Sequence, residues 1–141
     1  MARAVAEGAR AVPTMEVELR KVDDTRLDHL VEAEGIIFGT PTYFAQMSGG
    51  MKRLIDESIE IYGRLNDKVE GAFASAGGVG GGGETAVMPL ILAMLSHKTI
   101  VVVDPVVTLG PLAMGEPDAG ELRKCREYGE RVAEMTKKLQ G

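Results

Sequence analysis

The chain has 141 residues, of which 45% are hydrophobic and 26% are charged, and its formal net charge is −5. Such a length suits one domain with a substantial core. The acidic balance argues against nucleic acid as a partner. No apolar run is long enough to span a membrane, and no signal-peptide pattern is present, which favours a cytoplasmic protein. A single cysteine, Cys125, and two histidines favour neither a disulfide framework nor a metal site.

Helical and strand patterns alternate along the chain. Apolar spacing predicts helices over 1–11, 23–33, 46–62, 84–97 and 119–139. It predicts strands over 14–22, 35–40, 68–76 and 99–105. Strands that alternate with helices need crossover connections, so a parallel sheet covered on both faces is expected. The alternating pattern of 14–22 predicts a strand near a sheet edge, and the apolar helix over 84–97 is expected to be buried or at an interface.

The first unusual loop, "GTPTYFAQ", follows the apolar strand over 35–40. In parallel sheets, ligands bind beyond the carboxyl ends of the strands. Pro41 stiffens the turn and holds Thr40 extended. Thr40 and Thr42 offer hydroxyl groups, whereas Tyr43 and Phe44 offer flat apolar faces. The alternative is a strand end whose two rings pack into the core.

The second unusual loop, "SAGGVGGGGE", follows the strand over 68–76. Its glycines allow the backbone to approach a ligand closely. No lysine follows them, which excludes an ATP-type phosphate loop. Gly78, Gly80 and Gly83 match G-x-G-x-x-G, but the match is weak in so glycine-rich a run, and the dinucleotide motif belongs to the first strand–helix turn. A merely flexible loop is the alternative to a loop ordered by a planar ligand.

Four segments together resemble a known family: "GIIFGTPTYFAQMSGGMKRLID", "FASAGGVGGGGET", "LSHKTIVVV" and "ELRKCREYGERVAEMTKKLQG". They resemble the flavodoxin-like flavoproteins, above all the WrbA-type NAD(P)H:quinone reductases and the NADPH-dependent FMN reductases. The resemblance implies a three-layer α/β/α fold with a parallel sheet of order 2-1-3-4-5, for which flavodoxin is the standard example. It also implies FMN as cofactor, NAD(P)H as co-substrate and a homodimer or homotetramer.

The resemblance also implies which residues contact the cofactor. They are Thr40, Pro41, Thr42, Tyr43 and Phe44 in the first loop, and Ser75, Ala76, Gly77, Gly78, Val79 and Gly80 in the second. WrbA-type proteins often carry Gln-His where this chain has Val79 and Gly80, so fewer polar groups would face the flavin. His97 matches a family histidine that approaches the flavin from a neighbouring subunit, and a histidine that caps a helix end is the alternative.

The chain departs from the family at its beginning. The family starts with a strand and a Ser/Thr-rich phosphate loop, whereas this sequence starts at the first helix. We therefore expect one flavodoxin-like domain over 1–141, truncated at its N-terminus, with a gap in the sheet and weak or absent FMN binding. Two alternatives remain at this point: another chain supplies the strand, or the segment 14–22 pairs directly with 35–40.

The expected function is that of an FMN-binding oxidoreductase that passes electrons from NAD(P)H through the flavin to a quinone or similar acceptor. The alternative is a flavodoxin-type electron carrier, which would dock redox proteins through an acidic rim and have no substrate of its own. A flavin-free member of the family is a third possibility.

Overall fold

The computed structural model describes residues 1–105 and 109–141. The helices in this part of the chain are α1 Ala2–Ala11, α2 Leu27–Glu32, α3 Gly49–Glu57, α4 Gly83–Ser96 and α5 Ala119–Gln140. The strands are β1 Gly35–Tyr43, β2 Gln46–Met47, β3 Val69–Ala76, β4 Ile100–Val101 and β5 Leu112–Met114. None of the helices described is long and apolar enough to cross a membrane.

The sheet is built around β3. Its order is β2-β1-β3-β4, and β5 pairs with the carboxyl-terminal half of β3. Strands β1, β4 and β5 all run parallel to β3, whereas β1 and β2 form an antiparallel pair. The predicted alternation of strands and crossover helices therefore does produce a mostly parallel sheet.

Helices cover both faces of this sheet. One face packs against α2, α3 and α4, where Leu30, Met51 and Leu90 share a core with Phe38 and Ala72 of the strands. The other face packs against α1 and α5. The three-layer α/β/α fold class expected from the sequence is confirmed.

Two glycines set the close packing of α1 against α5. A Cβ atom added to Gly8 would lie 1.8 Å from the carbonyl oxygen of Arg126, and one added to Gly129 would lie 2.0 Å from that of Val5. Any larger residue would push the two helices apart. Glycine at these two positions therefore permits the close contact between α1 and α5.

Several predicted element bounds are wrong. No strand forms over 14–22, because in the described part of the chain this segment has no neighbour to complete a hydrogen-bonded ladder. The predicted helix over 46–62 is divided into β2, α3 and a 3₁₀ turn at Ser58–Ile61. The strand expected over 99–105 forms a ladder only at Ile100–Val101. The short strand β5 was not predicted.

Candidate functional site

The two unusual loops meet at the carboxyl end of the sheet and border a shallow, open cleft of about 580 Å³. The cleft is lined by Thr42, Phe44, Ala45, Gly77, Gly78, Val79, Gly80 and Gly81. The loops are neighbours because β1 and β3 are adjacent and parallel, with Pro41 opposite Ser75 at the end of the shared ladder. The convergence expected from the sequence is therefore present in the fold.

A tight turn forms the tip of the first loop. Phe44 and Ala45 have φ angles of 48° and 61°, and the chain then returns as β2, with Tyr43 opposite Gln46. Two consecutive residues with positive φ are the mark of a two-residue hairpin turn. The turn leaves Phe44 fully exposed and Tyr43 60% exposed. The alternative in which these rings pack into the core is thus wrong.

Thr40 fixes the base of this loop. Its hydroxyl donates to the carbonyl of Pro41 at 2.8 Å and accepts the backbone N–H of Ser48 at 3.0 Å. Ser48 in turn caps α3 by accepting the N–H of Met51. Because Thr40 is buried and its hydroxyl is occupied, it supports the loop from behind and does not line the cleft.

The glycines of the second loop have two different roles. Cβ atoms added to Gly77, Gly78 or Gly80 would meet nothing within 4 Å, so these residues border open space. Gly82 has a φ of 81°, and a Cβ there would lie 2.7 Å from the Cβ of Ala45. Glycine at position 82 thus lets the two loops touch, whereas the earlier glycines leave backbone amides accessible from the cleft.

Thr85 joins the two loops and was not singled out from the sequence. Its hydroxyl lies 2.7 Å from the carbonyl oxygen of Ala45 in the first loop and 2.7 Å from that of Gly82 in the second. The only sequence signal is a threonine in the first turn of the helix that follows the glycines. That signal indicates a local capping contact and not the contact with a loop forty residues away.

One polar atom in the cleft lacks a partner. The hydroxyl oxygen of Thr42 is buried and has no hydrogen-bond partner among the described residues. A buried polar group without a partner is rare and costs free energy. Phe44 and Val79, both almost fully exposed, stand on opposite lips of the same cleft. The cleft therefore has apolar edges, and one of its lining residues carries a buried hydroxyl without a partner among the described residues.

The remaining predicted residues lie around this cleft or away from it. Pro41 and Ser75 form the last pair of the β1–β3 ladder. Ala76 ends β3, and its carbonyl accepts the N–H of Gly115 at 2.7 Å, next to β5. His97 follows α4, whose 14 residues span about 21 Å, at the end opposite the cleft.

At that opposite end His97 is buried. Its Nε2 lies 2.8 Å from the hydroxyl of Ser58, and burial lowers the pKa of its imidazole. The position agrees with a histidine at a helix end. Its predicted approach to the flavin of a neighbouring subunit stays a prediction.

The cleft fits the edge of a planar heterocycle such as the isoalloxazine ring of FMN. Such an edge presents both donors and acceptors, which suit the Thr42 hydroxyl and the glycine amides. The bare glycine backbone leaves the space that the ring needs, since no Cβ projects from Gly77, Gly78 or Gly80. Phe44 and Val79 would then border the ring with apolar surface.

Comparison with known proteins gives consistent matches. The family model of the NADPH-dependent FMN reductases matches residues 25–111. A flavodoxin from Aquifex aeolicus is 36% identical, with 95% of this chain and 77% of that protein covered. An NAD(P)H dehydrogenase (quinone) from Solidesulfovibrio magneticus is 31% identical, with 99% and 91% covered. Among solved structures, a WrbA-like flavodoxin from Agrobacterium tumefaciens has a TM-score of 0.80 and 29% identity, with 97% of this chain and 87% of that chain covered.

The relatives and the solved structure match nearly the whole chain, and the solved structure agrees with the fold. Proteins of this family bind FMN and use NAD(P)H as the electron donor. The chain belongs to the NADPH-dependent FMN reductase family of flavodoxin-like proteins.

Proposed function

We propose that this chain binds FMN, weakly, in the cleft between its two loops and passes electrons from NAD(P)H to a quinone or a similar small acceptor. The observation that carries the proposal is the unobstructed backbone of Gly77, Gly78 and Gly80 at the cleft. It is supported by Thr42, which lines the same cleft and has a buried hydroxyl with no partner among the described residues. A ring edge placed there would satisfy the hydroxyl and accept hydrogen bonds from the loop amides.

Bound FMN supplies the redox chemistry, taking a hydride and delivering two electrons. The chain's own residues would bind and orient the ring. Amides of the glycine loop would stabilise negative charge at the ring edge, and the Thr42 hydroxyl would fix its position. Phe44 and Val79 would shield it from water at the two lips. No side chain has to act as a nucleophile or a general base.

The second loop also affects which electron acceptor the cleft can take. Val79 and Gly80 place no polar side chain over the cleft, and Val79 is exposed. An apolar, open lip favours a flat acceptor such as a quinone, which needs little hydrogen bonding. We therefore propose a small aromatic acceptor and not a strongly polar one.

An electron carrier is the second candidate. It is supported by the relatives named flavodoxin, from Aquifex aeolicus at 36% identity and from Clostridium saccharobutylicum at 32% identity, and by the net charge of −5. Steady-state oxidation of NADPH or NADH with a quinone separates the two candidates. A carrier would show almost no turnover, whereas a reductase would show catalysis that requires FMN.

FMN binding is tested by titration, followed through the quenching of flavin fluorescence. Thr42→Val removes the hydroxyl at nearly constant volume, and Thr42→Ser retains it as the matched control. Loss of one hydrogen bond of about 1 kcal/mol weakens affinity by roughly fivefold. Equal FMN affinity of the valine variant and the wild type would contradict the proposed contact between Thr42 and the ring. An absence of FMN binding up to millimolar concentration would refute the proposed cofactor site.

We also propose that the chain forms a homodimer or homotetramer through α4. Three large apolar side chains of this helix, Met88, Leu92 and Leu95, are exposed on its outer face although its other face is packed in the core. Leu92→Glu should shift the molar mass measured by light scattering to that of a monomer. The proposed role of His97 requires this assembly, so His97→Asn should alter flavin turnover in the oligomer only.

A further inference from the structure

The imidazole of His97 joins the end of α4 to the 3₁₀ turn that follows α3. Its Nε2 lies 2.8 Å from the hydroxyl oxygen of Ser58, the first residue of that turn, and both residues are buried. The ring of Tyr62, just after the turn, has its centroid 5.9 Å from that of His97. A polar contact and a ring contact therefore connect two segments that lie far apart in the chain.

The hydrogen bonds around Ser58 fix the tautomer of this imidazole. The Ser58 hydroxyl lies 2.6 Å from the carbonyl oxygen of Ile55 and donates its one proton there. Towards His97 it can only accept, so the neutral imidazole carries its proton on Nε2. Nδ1 is then the unprotonated nitrogen. It is buried, and it has no hydrogen-bond partner in the part of the chain that the structure describes.

Protonation of His97 would convert this isolated nitrogen into an N–H group. A buried donor without an acceptor costs free energy, most of all when the group is charged. An open arrangement, in which the ring reaches water, does not carry this cost. The contact with Ser58 is therefore compatible with the neutral imidazole and not with the imidazolium.

The neighbouring charges do not offset that cost. The charged side chains on the segments around the contact are Asp56, Glu57, Glu60, Arg64, Lys68, Glu70 and Lys98. Asp56 pairs with Lys52 at 2.6 Å, and Glu70 is hydrogen-bonded to a threonine hydroxyl. None of the described carboxylates is bonded to Nδ1 of His97. Lys98, the next residue, adds a second positive charge and so opposes protonation further.

The contact connects two helices that each follow a loop of the candidate cleft. Helix α3 begins shortly after the first loop, and α4 begins directly after the second. At the cleft, the Thr85 hydroxyl joins the two segments by its contact with the carbonyl of Ala45. At the other end of α4, His97 and Ser58 join them again. Of these two junctions, only the second contains a titratable side chain.

We propose that the contact between His97 and Ser58 is a pH-operated latch, which holds the 3₁₀ turn after α3 against the end of α4. The latch is closed while the imidazole is neutral. Protonation opens it, because the closed arrangement has no acceptor for a proton on Nδ1, and opening releases the turn. This inference is independent of the proposed FMN site and of the proposed oligomer.

The direction of the pH effect follows from the proton balance of the two arrangements. Burial lowers the pKa of His97 from its usual value of 6.5 in the closed arrangement, whereas the exposed ring of the open arrangement keeps that usual value. The closed arrangement therefore binds fewer protons and is lost as the pH falls below 6.5. Between pH 7 and pH 5, the equilibrium constant for opening should rise by up to about twenty-fivefold.

The test measures amide hydrogen exchange in the complete 141-residue chain by NMR at pH 7 and pH 5. Rates are expressed as protection factors, which remove the intrinsic pH dependence of exchange. The amides of Tyr62 and Arg64 donate to carbonyls of the turn at 3.2 and 2.9 Å, and their protection should fall at least fivefold at pH 5. The amide of Ala72, bonded to the Tyr128 hydroxyl at 3.0 Å, is the internal control and should lose no protection.

Two matched variants assign the effect to His97. His97→Gln cannot be protonated, although its amide can still donate to Ser58, so its turn should keep its protection at pH 5. His29→Gln changes the other histidine of the chain. Glutamine can replace the capping contact of His29 with the N–H of Arg26, so this variant should behave as the wild type does.

A measurement on the wild type keeps the proposal falsifiable if His97→Gln folds poorly. Nitrogen-15 NMR of the imidazole should show the proton of His97 on Nε2 at pH 7 and a pKa below 6.5. Three results would overturn the proposal. They are an equal loss of protection in His97→Gln and the wild type, unchanged protection of Tyr62 and Arg64 in the wild type, and a His97 proton on Nδ1 at pH 7.

Discussion

A buried glutamate in the sheet should make the stability of this protein fall as the pH rises. Glu70 of β3 is only 1% exposed. Its Oε2 lies 3.1 Å from the hydroxyl of Thr99, and its Oε1 has no partner among the described residues. The Thr99 hydroxyl also lies 3.0 Å from the carbonyl oxygen of Met94. That hydroxyl has one proton for these two acceptors, so it satisfies the ionised carboxylate of Glu70 only in part.

Burial is the main reason that the pKa of Glu70 rises from 4.5 to about 7, while the Thr99 hydrogen bond and the charge of Lys68 act in the opposite direction. Both the folded and the unfolded state are protonated below pH 4.5, so burial of this group carries no ionisation penalty there. As pH rises from 4.5 to 7, only the unfolded state ionises, and stability is lost. At about 1.36 kcal/mol per unit, the full loss above pH 7 is roughly 3 kcal/mol.

The matched change is Glu70→Gln, which keeps the shape and removes the ionisation. Between pH 5.5 and pH 8.5 the free energy of unfolding of the wild type should fall by roughly 2 kcal/mol relative to the variant. Urea denaturation followed by far-UV circular dichroism measures this difference. The exposed Glu60→Gln serves as the control and should track the wild type. A wild-type-to-variant difference that does not change with pH would refute the reasoning.

Three other predictions concern the core and the loops. Tyr128→Phe should lower the free energy of unfolding by about 1–3 kcal/mol, because the Tyr128 hydroxyl accepts the N–H of Ala72 and donates to a carbonyl of the β4 region; urea titration showing no loss would contradict this. Burial raises the pKa of the Cys125 thiol, so Cys125 should react with a thiol reagent only after unfolding, and rapid labelling of the native protein would contradict it. Thr85→Val should weaken FMN binding several-fold without changing stability, because the bridge to Ala45 is lost; Thr85→Ser should restore affinity, and equal affinities of all three forms would count against the bridge.

The fold class could be predicted because its signals are local. Apolar periodicity marks α1 and α5, and α4 is apolar nearly all round. The run at 36–39 is uniformly apolar, as a central parallel strand requires. The position of the candidate cleft followed from the same signals, since carboxyl ends of adjacent parallel strands share one edge. The sequence alone therefore predicts that the two loops lie together.

Other features depend on partners that the local sequence does not reveal. The segment 14–20 has the alternation of a strand, yet a strand exists only where a neighbouring ladder completes it, and within the described residues no strand pairs with this segment. The short β5 pairs with β3 because the chain returns to the end of the strand, not because Leu112–Met114 has a strong pattern.

The sequence by itself determined the layered α/β architecture, the family and the pair of loops at one rim, because periodicity and turn residues act over a few neighbours. The tertiary structure decided that Thr85 joins the two loops. It also decided that the hydroxyl of Thr42 and one carboxyl oxygen of the buried Glu70 have no hydrogen-bond partner in the part of the chain that the structure describes. Each of these depends on contacts between residues far apart in the chain. Such contacts decide which polar groups find partners, and no local pattern encodes them.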